Sequence, residues 1–148
     1  MLRLRRALRL AFFGALTFWA TLFAHVWWVF GIKAGYLDGG SYPLTPSVRV
    51  TVAGLALDCA FASVLVLLPA GLAGFMLSGR RPRQITLALI WAGVWLFAAD
   101  GIAEIFAFDF GTTWRSGEAF FELFLHPVLT PLAMAAGLVL LWRLAAQD

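Results

Sequence analysis

Residues 50–77, VTVAGLALDCAFASVLVLLPAGLAGFML, form an apolar stretch in which Asp58 is the one charged side chain. A helix that crosses a bilayer needs about 20 predominantly apolar residues, so this stretch predicts a transmembrane helix. Three further segments, at about 7–32, 84–108 and 118–145, satisfy the same length requirement. We therefore expect a single all-α domain over residues 1–148, a polytopic membrane protein with four transmembrane helices.

The composition supports this expectation. Hydrophobic residues make up 62% of the chain and charged residues 13%, whereas a soluble domain carries about 25% charged residues. The first apolar segment follows a basic stretch, as in a signal peptide, but it exceeds the usual apolar core of about 7–15 residues. We expect it to be retained as the first helix. Cys59 is the only cysteine and is expected to be a buried thiol.

The arginines predict the orientation of the chain. They concentrate near the N-terminus, in a basic turn at 78–83 and at Arg143, which lie on one side of a chain with four spans. Basic residues favour the cytoplasmic side, so both termini are predicted to be cytoplasmic, with the protein in the bacterial cytoplasmic (inner) membrane. No basic face with interleaved aromatic residues is present, so nucleic acid is not an expected partner.

Ionisable side chains inside the predicted helices are costly in a bilayer, and each therefore needs an explanation. Because neighbouring helices run in opposite directions, these residues all fall in the outer half of the predicted bundle. Spacings of four residues on the third and fourth helices place their polar groups on single faces. The predicted polar cluster, facing lipid or substrate, consists of His25, Asp58, Asp100, Glu104, Glu122 and His126.

Several interpretations of this polar cluster stay open. The simplest is pairing between helices, in which carboxylates meet histidine or Arg115. Another is a polar vestibule that accommodates a lipid headgroup or part of a lipid-linked substrate. A metal site of His25, His126 and carboxylates has no HxxH or HExxH spacing to support it. Haem ligation by the two histidines and a proton path have less support still. No metal or other cofactor is predicted, and membrane lipids are the expected partners.

Prolines predict irregularities in two helices. A residue that precedes proline is disfavoured in helical geometry, so the fourth helix should kink at His126-Pro127. Pro69 is expected to bend the second helix. The sequence contains no phosphate-binding loop, no GxSxG motif and no Ser/His/Asp arrangement, so no catalytic residue is predicted.

The order of these features resembles the N-terminal membrane region of the lipoteichoic-acid-synthase-like enzymes, which belong to the sulfatase/alkaline-phosphatase superfamily. The second helix of that family opens with a Gly-x-x-x-Asp pattern and later bears Leu-Leu-Pro, similar to Gly54 to Asp58 and Leu67 to Pro69. A basic turn, an intramembrane acid, an aromatic-Gly loop and a proline near the fourth helix follow. They are matched by Arg80 to Arg83, Asp100, Phe110-Gly111 and His126-Pro127.

The chain departs from this family in the loop after the third helix, where Thr112 to Arg115 replace the usual arrangement of Arg and Asp/Asn. The family also has a fifth helix and a large extracytoplasmic domain, which holds a nucleophilic threonine and a divalent metal. This sequence stops before both, so no catalytic residue is carried over. The resemblance implies the membrane anchor and lipid-substrate-facing module of a phosphoglycerol or phosphoethanolamine transferase, working with an extracytoplasmic catalytic domain or partner subunit. The alternative is a stand-alone small membrane protein, either a complex subunit or a small-solute transporter or channel.

Overall fold

The computed structural model describes residues 1–29, 42–45, 48–109 and 113–146. The prediction of an all-α protein with four helices of spanning length is confirmed for this part of the chain. A short antiparallel hairpin lies between the first two helices, and a π-helix, Phe120–Phe124, precedes the last one. The elements are α1 (Leu2–Val29), β1 (Tyr42–Thr45), β2 (Val48–Val50), α2 (Val52–Met76), α3 (Arg80–Asp109) and α4 (Leu129–Ala146).

The observed bounds correct two of the predictions. The second helix agrees closely with its predicted bounds. Helix α3, however, begins at Arg80 rather than at Gln84, so the prediction of a basic turn that extends to Arg83 was wrong. Pro82 is accommodated because the N–H groups in the first turn of a helix have no partner within the helix. The first helix begins at Leu2 rather than Ala7, and its predicted end at 30–32 lies outside the described residues.

The outer surface of the four helices is apolar, as a bilayer requires. Large side chains such as Phe61, Leu68 and Phe97 are at least 70% exposed. Similar exposed residues occur on all four helices, whereas a soluble monomer rarely exposes an apolar patch larger than a few hundred Å². All four helices are long and apolar enough to cross a membrane. The protein is therefore a multi-pass membrane protein.

Helix α1 packs against all three other helices. Its buried residues Phe18 and Leu22 meet the two tryptophans of α3, Trp91 and Trp95, in a single core. The ring edge of Phe18 meets Trp91 at a centroid distance of 6.0 Å, and the two tryptophans stack at 6.4 Å. Both tryptophans are fully buried, and Cys59 is buried as expected.

Two glycines permit close approaches between helices. The indole of Trp91 lies against Gly137 of α4, where a Cβ atom would overlap Cζ2 and Cη2 of the ring. At Gly74 of α2, a Cβ would come within 2.9 Å of Leu10 Cδ1 and 3.1 Å of Ala7 Cα. Small residues at such positions let helix backbones pack closely in a membrane protein.

Arginine and glutamine side chains cap the C-terminal ends of two helices at the same end of the bundle. Arg6 Nε donates to Gly74 O of α2 at 2.8 Å. Arg83 Nη2 and Nε donate to Ala145 O of α4 at 2.7 and 3.1 Å, and Gln84 Nε2 donates to Trp142 O at 3.1 Å. The last carbonyls of a helix have no partner within it and carry partial negative charge, so a cationic donor stabilises them. We call this the arginine-rich end and the opposite one the hairpin end.

Candidate functional site

The fourth predicted helix is interrupted near the hairpin end. The prediction of a continuous helix over 118–145 was wrong. Residues Phe120–Phe124 form a π-helix, in which Leu125 N donates to Phe120 O at 2.9 Å. Helix α4 begins only at Leu129. The irregular segment between them contains Pro127, which lacks an N–H and disfavours helical geometry at His126. The expected irregularity at His126-Pro127 is confirmed, and it is a break in the helix rather than a kink. At the other proline, Pro69, α2 continues without a break.

His126 caps the start of α4. Its Nδ1 atom accepts from Val128 N at 3.2 Å and from Leu129 N at 3.1 Å. Val128 directly precedes α4 and Leu129 is its first residue, and the N–H groups at the start of a helix have no acceptor within the helix. Nδ1 therefore carries no proton in this arrangement, and the proton of the neutral ring is on Nε2.

The hydroxyl of Thr130 connects three polar groups in the buried part of the break. Its Oγ1 lies 2.8 Å from His25 Nε2, accepts from His126 N at 2.9 Å and donates to Phe124 O at 3.3 Å. A hydroxyl has one proton and two acceptor lone pairs. Because its proton is directed to Phe124 O, the consistent assignment is that His25 Nε2–H donates to Oγ1. We call His25, His126 and Thr130 the histidine–threonine node.

His25 joins this node to the aromatic core. The side chain is 2% exposed, and its ring lies 5.0 Å from Trp95 of α3 and 6.1 Å from Phe124 of the π-helix, measured between centroids. A polar group buried in a membrane protein needs a hydrogen-bond partner, and Thr130 supplies one. One residue of α1 thus holds α3, the π-helix and α4 together at the hairpin end.

Glu104 stabilises the loop that leads into the π-helix. Its Oε1 atom accepts from Gly117 N at 2.7 Å. Gly117 has a φ of 82°, a left-handed conformation in which a side chain would be strained. Next to it, Arg115 N donates to Glu118 Oε2 at 2.8 Å and Glu118 N donates to Arg115 O at 2.9 Å. Glu104 therefore ties the end of α3 to the start of the broken segment.

Three residues of the predicted polar cluster, His25, His126 and Glu104, take part in hydrogen bonds near the break before α4. His25 and His126 meet through Thr130, and Glu104 binds the adjacent loop. Asp100 is half-buried on α3, whereas Asp58 and Glu122 are exposed. Among the described residues, no group of three or more metal-ligating side chains converges. All six residues of the predicted cluster nevertheless lie toward the hairpin end of the bundle, as the bounds of the helices show.

An apolar groove adjoins the node between α1 and α4. It has a volume of about 300 Å³ and is lined by Thr21, His25 and Trp28 from α1 and by Leu129, Leu132 and Ala136 from α4, together with intervening alanines. Trp28 and Leu132 are exposed, so the groove opens on the apolar outer surface. Its volume is at the lower end of the range for small-molecule sites, about 300–1,000 Å³.

Sequence reasoning did not identify Thr130, which is the centre of the node. One available signal was a hydroxyl three residues after Pro127, in the first turn of a helix that restarts after a break. Side chains of Ser and Thr commonly bond to the backbone at such positions. The partner His25 is 105 residues away in the sequence, so the contact itself had no local signal.

No family model, curated protein or solved structure matches this chain. The resemblance to the lipoteichoic-acid-synthase-like membrane region therefore stays a prediction.

Proposed function

We propose that this protein is a lipid-binding module whose α1/α4 groove holds an acyl chain of a membrane lipid and presents the headgroup at the hairpin end. The observation that carries the proposal is the groove itself, which lies between two spanning helices and opens on their apolar surface. Lipid chains are the molecules that surround such a surface. The alternative of a small-solute path has weaker support, since this groove is lined almost entirely by carbon atoms.

The position of the histidines supports headgroup recognition at one end of the groove. His25 lines the groove and lies four residues before the described end of α1. His126 is half-buried at the break that starts α4. Near a bilayer interface, Nε2 of the half-buried His126 and the half-buried carboxylates of Asp100 and Glu104 offer a donor and acceptors to a headgroup, while the groove takes the chain.

In its narrower form, the proposal is that this module serves a phosphoglycerol or phosphoethanolamine transferase. The support is the resemblance in sequence order and the concentration of polar residues toward the hairpin end. An extracytoplasmic catalytic domain or partner subunit would act on the lipid held there. On this proposal the protein resides in the bacterial cytoplasmic membrane with both termini inside.

Lipid occupancy of the groove is tested with a matched pair of variants. Ala136 is an exposed residue that lines the groove, whereas the neighbouring exposed Ala135 does not. Ala136→Phe fills the groove and should remove lipid that co-purifies in mild detergent, as counted by native mass spectrometry. Ala135→Phe adds the same side chain and should retain the lipid. Equal lipid retention by both variants would contradict the proposal.

The orientation is tested by cysteine labelling in intact cells. In a Cys59→Ala background, Ser78→Cys and Ser116→Cys place single thiols at exposed positions near opposite ends of the bundle. A membrane-impermeant maleimide should label the variant at Ser116 and leave the one at Ser78 unlabelled until the cells are lysed. The reverse pattern would place the termini outside.

The transferase role is tested separately. The intact mass of the native gene product from source membranes should exceed the 16.2 kDa of this chain if a catalytic domain is attached. Asp58→Asn combined with Asp100→Asn should then lower turnover of the lipid substrate while expression is unchanged. A native mass of 16.2 kDa and no effect on turnover with a catalytic partner would favour the complex-subunit or small-solute alternative.

A further inference from the structure

A second cavity, separate from the α1/α4 groove, lies at the arginine-rich end. It has a volume of about 310 Å³ and is lined by Leu2, Arg3, Arg5, Arg6, Arg9 and Ser78. Four of these six residues are arginines, and no carboxylate is among them. The cavity therefore concentrates positive charge between the first turns of α1 and the turn that joins α2 to α3. We call it the arginine cavity.

The arginine cavity combines anchored and exposed side chains. Arg6 and Arg9 are half-buried, and Arg6 Nε bonds to Gly74 O at 2.8 Å, which holds α1 against the end of α2. Arg3 and Arg5 are exposed at the cavity. Spacings of three residues (Arg3, Arg6, Arg9) and of four (Arg5, Arg9) place the guanidinium groups on neighbouring faces of one helix. The N-terminus of α1 adds partial positive charge.

The exposed positive charge at this cavity comes from Arg3 and Arg5. All Asp and Glu residues in the described part of the chain belong to α2 near its start, to the later part of α3 or to the segment that precedes α4, which are on the hairpin side. Arg80, Arg81 and Arg143 do not line the cavity but add further positive charge at the same end of the bundle. An external anion is therefore a natural complement of the exposed Arg3 and Arg5.

We propose that the arginine cavity binds the phosphate of an anionic phospholipid headgroup. Guanidinium groups bind phosphate oxygens through paired N–H donors, and Arg3 and Arg5 are placed to supply them. A phospholipid is favoured over a free anion because Leu2 lines the cavity and the exposed Leu4 and Leu8 follow on α1, where an acyl chain can lie. The site is distinct from the α1/α4 groove and does not depend on its function.

The test compares two double variants with the same change in net charge. Arg3→Gln/Arg5→Gln removes the exposed arginines of the cavity, whereas Arg80→Gln/Arg81→Gln removes two exposed arginines at the same end that do not line it. The full chain is delipidated in detergent and titrated with phosphatidylglycerol or phosphatidylcholine, with binding measured by native mass spectrometry. Each arginine near a headgroup is worth about a factor of five in affinity. The cavity variant should thus bind phosphatidylglycerol about 25-fold more weakly, and the control about as tightly as the wild type.

Three outcomes would overturn the proposal. Equal weakening in both double variants would show that general surface charge, not the cavity, attracts the lipid. Equal affinity of the wild-type protein for phosphatidylglycerol and phosphatidylcholine would show that no anion is recognised. Displacement of phosphatidylglycerol by an equal concentration of inorganic phosphate would assign the site to a free anion. Selective loss in the cavity variant, with no displacement by phosphate, supports the phospholipid site.

Discussion

The contact between Gly137 and Trp91 offers a sharp test of how the bundle is packed. An alanine at 137 would place its Cβ on the six-membered ring of the indole, at Cζ2 and Cη2. The indole has no room to move, because it is fully buried between Phe18 and Trp95 at centroid distances of 6.0 and 6.4 Å. We therefore expect Gly137→Ala to destabilise the protein, although alanine is the better helix former.

The magnitude follows from two opposing effects. Overpacking a filled core costs about 1–3 kcal/mol, and the immobile ring places this case near the upper value. Replacing glycine by alanine within a helix stabilises it by about 1 kcal/mol. The net loss for Gly137→Ala is thus about 2 kcal/mol. For a chain of this size, about 2 kcal/mol lowers the Tm by roughly 4–8 °C.

Gly14→Ala is the matched control. Its Cβ would meet Ala70, Leu141 and Val66 at 3.7 to 3.8 Å, which are ordinary contact distances, so the Tm should stay unchanged or rise. Both variants are compared with the wild type by thermal unfolding in one detergent, followed by tryptophan fluorescence. A Tm for Gly137→Ala at or above that of the wild type would refute the close packing of α3 against α4.

Three further variants examine the polar contacts by the same unfolding assay. Thr130→Val should lower the free energy of unfolding by about 2 kcal/mol, because it leaves buried partners of the hydroxyl without a hydrogen bond. Thr130→Ser should retain most of the stability. Equal losses in the two variants would argue against the histidine–threonine node. His126→Ala should cost about 1 kcal/mol through loss of a helix cap, and His126→Asn should restore part of it. Arg83→Met should cost about 2 kcal/mol, because it removes the charged donor to Ala145 O. Arg80→Met, at an exposed position, should change the Tm little. A similar effect of both variants would contradict the capping role of Arg83.

The two ends of the bundle differ in construction. At the arginine-rich end, carbonyl groups in the last described turns of α2 and α4 accept hydrogen bonds from Arg6 and Arg83 of the neighbouring helices. At the hairpin end, the π-helix and the segment around His126 interrupt the regular backbone, and side chains of Thr130 and Glu104 satisfy the freed groups. Irregular backbone at membrane depth is tolerated only where protein groups or water satisfy it. The two ends therefore satisfy their backbone groups by different means.

Much of the fold could be predicted because its cause is local. Residues 50–77 are long and apolar enough to span a bilayer without reference to the rest of the chain, and α2 matches that prediction closely. The break at Pro127 was also predictable, since proline acts on its immediate neighbours. The extent of the break was not predictable, because the π-helix and the restart of the helix at Leu129 depend on hydrogen bonds to side chains such as His126 and Thr130.

The sequence by itself thus determined the class of protein, its four apolar helices, the position of the break and the end of the bundle toward which the polar residues lie. Only the tertiary structure decided which polar residues meet: it joined His25 to Thr130, tied Glu104 to Gly117, and placed Asp58 and Glu122 at exposed positions. It also buried Arg83, which the sequence had placed in a basic turn. The physical reason is that the length and hydropathy of a segment are properties of neighbouring residues, whereas hydrogen bonds across 62 or 105 positions depend on how whole helices pack.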